Sequence, residues 1–227
     1  MVAEQISLTA GSVFAVSGSN GDIHPRTTGG LYASDTRFLS AFCLSVQGQD
    51  TYAVGANLFE HSMASFYVTP KGTRNFPTSS ISIVRDRYVD IGLHEDINVV
   101  NHATQPQTVH LELTFDADFA DVFEVRLGRY RKAGRVTLEE REGQQLCLMY
   151  QRGSFHRETW ISFSVQPLIR GKTAIFDMVL QPKEPWKTCV TVLPVTETAP
   201  PPMNVWQRSW EHPSAPTAIK RNLRSVC

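Results

Sequence analysis

The chain has 227 residues, 41% of them apolar, and its 22 Lys plus Arg balance 22 Asp plus Glu. That length can bury roughly 70% of the surface exposed when unfolded, so no disulfide staple is required. Zero net charge argues against a nucleic-acid or anionic-membrane partner, which would demand a basic surplus, and no apolar run nears the ~20 residues of a spanning helix. Residues 1–11 read as a flexible leader with neither the basic start nor the long apolar stretch of a signal peptide. Ser12 to Val16 reads as a first strand, and SGSNGDI (Ser17–Ile23) as a turn in which Asn20-Gly21 tolerates positive φ. GLYASDTRFLS then leads into a strand with Phe38, Phe42, Leu44 and Val46 on one parity. QGQD (Gln47–Asp50) closes a turn before Thr51 to Val54, and Ser65 to Thr69 and Ile81 to Tyr88 are further strands.

The clearest alternation follows. Val109, Leu111, Leu113, Phe115, Ala117 and Phe119 share one parity, with Thr108, His110, Glu112, Thr114, Asp116 and Asp118 on the other. Successive strand side chains point to opposite faces, so this strand has one apolar face and one wet face. Leu93 to Val99 is read as its antiparallel hairpin partner, joined through the turn-rich Asn101 to Pro106. The run DADFAD (Asp116–Asp121) predicts a strand that leaves the sheet and turns at its rim. Val136–Glu140, Gln145–Gln151, Trp160–Gln166, Thr173–Leu180 and Lys187–Leu193 complete the series. Strands recurring every 10 to 20 residues without helical periodicity predict an all-β, antiparallel two-sheet sandwich over residues 12–196, with a barrel as the second choice. Residues 197–227 read as a Pro-rich linker or tail carrying Trp206 and Trp210.

No motif here brings catalytic chemistry with it. GKT at Gly171–Thr173 has the ending of a phosphate loop, but the first glycine of that pattern would fall at Gln166, and a strand follows in place of a helix. His94, Glu95, Asp96 and His102 are metal-capable, yet His94 and Asp96 take one strand face and Glu95 the other, so a solvated edge is preferred and no metal or cofactor is expected. Asp116, Asp118, Asp121 and Glu124 offer carboxylates of the kind glycoside cleavage uses. Acids capping a rim turn explain them more simply. Arg37 most simply pairs with Asp35 to fix a turn, and Trp160 and Trp186 could stack on sugar rings or fill core. The cysteines Cys43, Cys147, Cys189 and Cys227 are far apart and read as reduced thiols of a cytoplasmic protein.

Four stretches occur in the order and approximate spacing of one family: SGSNGDI (17–23), GLYASDTRFLS (30–40), RDRYVDIGLHEDINVVNHA (85–103) and ADFADVFEV (117–125). Over residues 12 to 195 the chain resembles the N-terminal β domain of bacterial-type glycogen debranching enzymes, the amylo-α-1,6-glucosidase-like proteins. The resemblance implies a supersandwich-like fold that precedes a helical-barrel glycosidase domain, and the catalytic carboxylates belong to that barrel. The chain is expected to stop where the barrel would begin, so no catalytic residue is carried over. Asp22, Asp35, Arg37, Glu95 and Asp96 are expected to be structural, interdomain or glycan-contact residues, with Trp160 and Trp186 as further contact candidates. The implied partners are the glycosidase domain, in cis or as a separate chain, and an α-glucan. Two other readings stand beside this one: a free-standing, epimerase-like sugar enzyme, and a structural module that assembles as a homo-oligomer.

Overall fold

A computed structural model describes residues 5–72, 80–128, 134–141 and 145–196. The Pro-rich tail, with Trp206 and Trp210, lies outside the described residues. Sixteen strands and one short helix follow in chain order: β1 (Gln5–Ala10), β2 (Val13–Gly18), β3 (Gly30–Ala33), β4 (Thr36–Leu39), β5 (Ala41–Val46), β6 (Gln49–Glu60), β7 (Met63–Pro70), β8 (Ile81–Val89), β9 (Leu93–Asn101), β10 (Gln107–Asp116), α1 (Val122–Leu127), β11 (Arg135–Arg141), β12 (Gln145–Arg152), β13 (Phe155–Phe163), β14 (Leu168–Arg170), β15 (Thr173–Leu180) and β16 (Pro185–Val195). No helix among the described residues is long and apolar enough to cross a membrane.

Every strand pair is antiparallel, and the fold is the expected sandwich. The larger layer runs β11-β12-β13-β16-β9-β8-β7-β6 and the smaller β5-β10-β15-β14. Among the described residues the two are joined only by the short β5–β6 hairpin, through Ser45 opposite Asp50 and Val46 opposite Gln49. Gln47 and Gly48 take positive φ there, which matches the strand twist. A second sheet, β1-β2-β3-β4, adds Leu8, Ala15, Leu31 and Phe38 to the shared core. In the smaller layer Phe42 stacks on its strand neighbour Phe115 at 4.8 Å, and Phe163, Phe176 and Trp186 continue the row back and forth across the core.

Two sequence expectations are corrected. β9 and β10 do not form a hairpin: β9 lies between β8 and β16, while β10 lies between β5 and β15. Turn residues fix where the chain reverses and leave open which layer it re-enters. Asn101, fully buried, holds this crossing by donating to the carbonyls of Gln105 (2.9 Å) and Leu180 (3.0 Å). The other correction concerns 1–11, where residues 5–10 form β1, pairing with β2 and burying Ile6 and Leu8. Two apolar residues are too short a signal to read as an amphipathic strand without the sheet that receives them.

The run DADFAD does leave the sheet and turn, and it ends in α1. Asp121 caps this helix: its side chain accepts from the Phe123 amide at 2.8 Å, and Glu124 reaches back to the Asp121 amide at 2.8 Å. Gly128 closes it in the left-handed conformation. Asp121→Ala should lower stability by about 1 kcal/mol in urea unfolding, and an unchanged midpoint would show that the rim holds α1 without its cap.

Candidate functional site: a buried charge network, the rim and the outer sheet face

On β8 the residues of the inward parity are Ile81, Ile83, Arg85, Arg87 and Val89, so two arginines enter the core. Burying a guanidinium is tolerable only with charge and hydrogen-bond partners. Glu95, opposite Arg87 on β9, supplies both: it bridges Arg85 Nε (2.6 Å) and Arg87 Nε (2.6 Å), with Arg87 Nη2 also in contact. Asp22 reaches Arg85 Nη1 at 2.6 Å and accepts from the Leu44 amide at 3.0 Å. Arg87 Nη2 donates to the Gly21 carbonyl at 2.7 Å. The remaining edges, Arg85 Nη2 and Arg87 Nη1, make no hydrogen bond. Both guanidinium groups instead lie over aromatic faces, Arg85 over Phe42 at 5.1 Å and Arg87 between Phe42 (5.4 Å) and Phe66 (5.1 Å). Desolvation lowers the Arg87 pKa below the ordinary arginine value, while Glu95 and Asp22 overcome the same burial penalty at Arg85 and raise it. Gly21 closes the SGSNGDI turn at φ +83°, where an added Cβ would meet the Phe66 ring at 3.1 Å. Asp22 and Glu95 therefore join the first turn to the centre of the larger layer and offer no surface to a ligand.

Asp35 and Arg37 sit at a different place. The β3–β4 hairpin turns through Ser34 and Asp35, both non-glycine residues at positive φ and both exposed. Buried Arg37 pairs with Asp118, 81 residues away, and donates to the Thr27 carbonyl at 2.7 Å. The carboxylate it meets is thus Asp118 and not Asp35, which stays at the solvent-facing turn. Gly30 makes room for this: a Cβ there would stand 2.6 Å from Arg37 Cδ. The Asp35 carbonyl accepts from the Val122 amide at 2.9 Å, and Arg37 N–H donates to Ala120 at 2.8 Å. Two motifs distant in sequence thereby form one rim, which presents Phe123 (68% exposed) and Leu127 (73%) one turn apart on α1.

Asp96 and Trp160 occupy the outer face of the larger layer. Asp96 stands opposite Asp86 on one side and Cys189 on the other. His94 links Thr191 (3.0 Å) to Asp96 (3.3 Å). Burial pushes the Asp86 carboxyl above its usual range against a hydrogen bond from Ser65, with the Asp96 charge adding to the rise. His94, Asp96 and Cys189 bring one donor atom each within 4.8 Å of one another. Cys189 is disulfide-bonded, so it lacks the thiolate a metal would require, and no metal role is assigned. The reduced-thiol expectation holds for Cys43 and Cys147, both free, and fails at Cys189, because a strand pattern does not reveal what meets its outward side. Four residues along β16, Trp160 donates to Glu158, and Arg141 lies over its ring at 5.1 Å. Burial acts to raise the Glu158 carboxyl, but hydrogen bonds from Trp160, His156 and Cys147 hold it below its usual range. Trp186 faces inward, half-buried against Phe176 at 5.3 Å. The seven sequence candidates thus fall into three places and a core position. Arg85 and Arg87 were not singled out from the sequence, although the apolar parity of β8 carries the signal for both, and Asp118 was read as a rim-turn acid with no link to Arg37.

A model of the N-terminal domain of some glycogen debranching enzymes matches residues 8–191. The chain belongs to this family. Comparison with curated proteins finds no match. Among solved structures, this debranching-enzyme N-terminal domain is similar to an aldose 1-epimerase-like protein of Escherichia coli K12 (TM-score 0.51, 6% identity, 86% of this chain and 99% of the other). A galactose mutarotase-like protein of Lactobacillus casei is similar at TM-score 0.52 and 7% identity, over 85% of this chain and 100% of the other. A kojibiose phosphorylase-like protein from the human microbiome matches 95% of this chain with 27% of its own (TM-score 0.50, 9% identity). At these identities the likeness is one of fold.

Proposed function

We propose that this domain is the non-catalytic N-terminal part of an amylo-α-1,6-glucosidase, packing on a helical-barrel glycosidase domain and helping to shape its α-glucan cleft. The observation that carries the reading is the rim. Two large apolar side chains, Phe123 and Leu127, are left in water on a helix capped at both ends and tied to the β3–β4 turn. A rigid apolar projection of this kind suits a partner surface. Membership of a family of N-terminal domains of glycogen debranching enzymes supports a glycosidase domain as the partner, and a cytoplasmic location is part of the same proposal. Supporting it, a fold of this type makes up about a quarter of the kojibiose phosphorylase-like chain.

The test is to mix the 227-residue chain with the separately expressed helical domain of a family enzyme. Association is followed by analytical ultracentrifugation, and glucose release from a limit dextrin is measured in parallel. Association is expected, with Phe123→Asp/Leu127→Asp weakening it at least about tenfold, a loss of about 1.4 kcal/mol. Glucose release by the isolated chain would overturn the non-catalytic assignment, and absence of association would overturn the packing role.

One observation favours a second reading, a free-standing sugar epimerase. His94 and Asp96 lie beside Asp86, whose pKa is raised, and together they offer acid and base groups on one sheet face. Polarimetry on freshly dissolved sugar anomers decides it, since a rate at the buffer background removes this reading.

A further inference from the structure

A groove of about 750 Å³ lies on the outer face of the larger layer, across β6, β7 and β8, and shares no lining residue with the rim. Its walls include Val54, Tyr67 and Val84, and Thr69, Ser82 and His102 supply its polar groups. The groove is a built feature of β6. The pairing of β6 with β7 shifts register between Ala53 and Gly55, a β-bulge, and Val54 at the bulge is 71% exposed. Bulges re-aim side chains in this way beside binding sites. Gly55 next to it leaves open space where a Cβ would stand. Ser82 and His102 are 2.6 Å apart, and each keeps hydrogen-bonding capacity beyond that contact. Asn98, opposite Val84 on β9, carries a buried Oδ1 without a hydrogen-bond partner.

An aromatic wall beside a few fixed polar groups suits a ligand with an apolar face and a hydroxylated edge, as a pyranose ring has. We infer that this groove binds a short α-1,4-linked glucan chain, with one glucose ring on Tyr67 and its hydroxyls meeting Ser82, Thr69 and His102. The choice of an α-glucan rests on the reading of the chain as a debranching-enzyme domain. The site differs from the surface proposed to meet the glycosidase domain, so the two can fail separately.

The test titrates the ¹⁵N-labelled 227-residue chain with maltoheptaose, using cellohexaose as the β-linked control. Amide shifts are expected at Gly55, Tyr67, Thr69, Ser82 and Val84 with maltoheptaose only. Tyr67→Ala should weaken binding about tenfold, and His102→Ala is an independent probe on an exposed residue. Phe123→Asp should leave the titration unchanged. Shifts confined to the surroundings of Asp96 and Trp160, equal binding of cellohexaose, or no response to maltoheptaose would each overturn the groove assignment. Association with the helical domain combined with silence toward maltoheptaose removes the groove and leaves the packing role standing.

Discussion

Glu95→Gln is expected to destabilise the domain by about 3–5 kcal/mol, the usual cost of stripping one partner from a buried ion pair. Glu95 serves two guanidinium groups at once, and neither has water to turn to. With the amide in its place, Asp22 alone faces Arg85 and Arg87, leaving one buried positive charge uncompensated. Against a typical total of about 5–15 kcal/mol this is a large share. Urea unfolding followed by tryptophan fluorescence reads it as a lower midpoint. Adding Arg87→Met removes the stranded charge, so the double variant should be more stable than Glu95→Gln alone. If the double variant is instead worse by the full sum of the two single losses, Arg87 and Glu95 act independently and the network account is wrong.

Phe42→Ala should cost a similar amount, about 3–5 kcal/mol, for a reason that reaches past its own burial. Phe42 stacks on Phe115 in the aromatic row and also carries the guanidinium faces of Arg85 and Arg87. Its loss leaves a cavity beneath two cations whose Nη2 and Nη1 edges have no hydrogen bond. Phe42→Leu restores most of the apolar volume without the ring, and the deficit it keeps measures the cation–π part, about 0.5–2 kcal/mol. A Leu variant as stable as wild type would mean that the rings only fill space. Phe123→Ala is the contrast: the same residue type, 68% exposed, should move the midpoint little.

These two residues show where sequence patterning stops. Phe42 lies on an apolar parity with Leu44 and Val46, so its burial is legible from the chain alone. Arg85 and Arg87 lie on the apolar parity of β8, and that pattern says they enter the core. It does not say what receives them, because Asp22 is 63 residues away from Arg85 and reaches it only through the fold. The same limit explains Arg37. A carboxylate two residues away looked like its partner, whereas the pair forms with Asp118 across the rim. Local order favours the near neighbour, but a turn that keeps Asp35 in solvent and buries Arg37 separates them.

By itself the sequence determined the all-β class, β2 and most strands from β5 to β16, the turn at Gln47-Gly48, and the family, since alternation and turn chemistry are local properties of the chain. Tertiary structure alone decided which strands are neighbours, that β9 and β10 belong to different layers, and that two distant motifs close into one rim. It also decided that Asp22 and Glu95 sit inside while Asp96 and Trp160 face out, and that a bulge in β6 opens a groove. The physical reason is that a strand's period of two fixes which side chains share a face, while what that face meets is set by contacts between residues far apart in sequence.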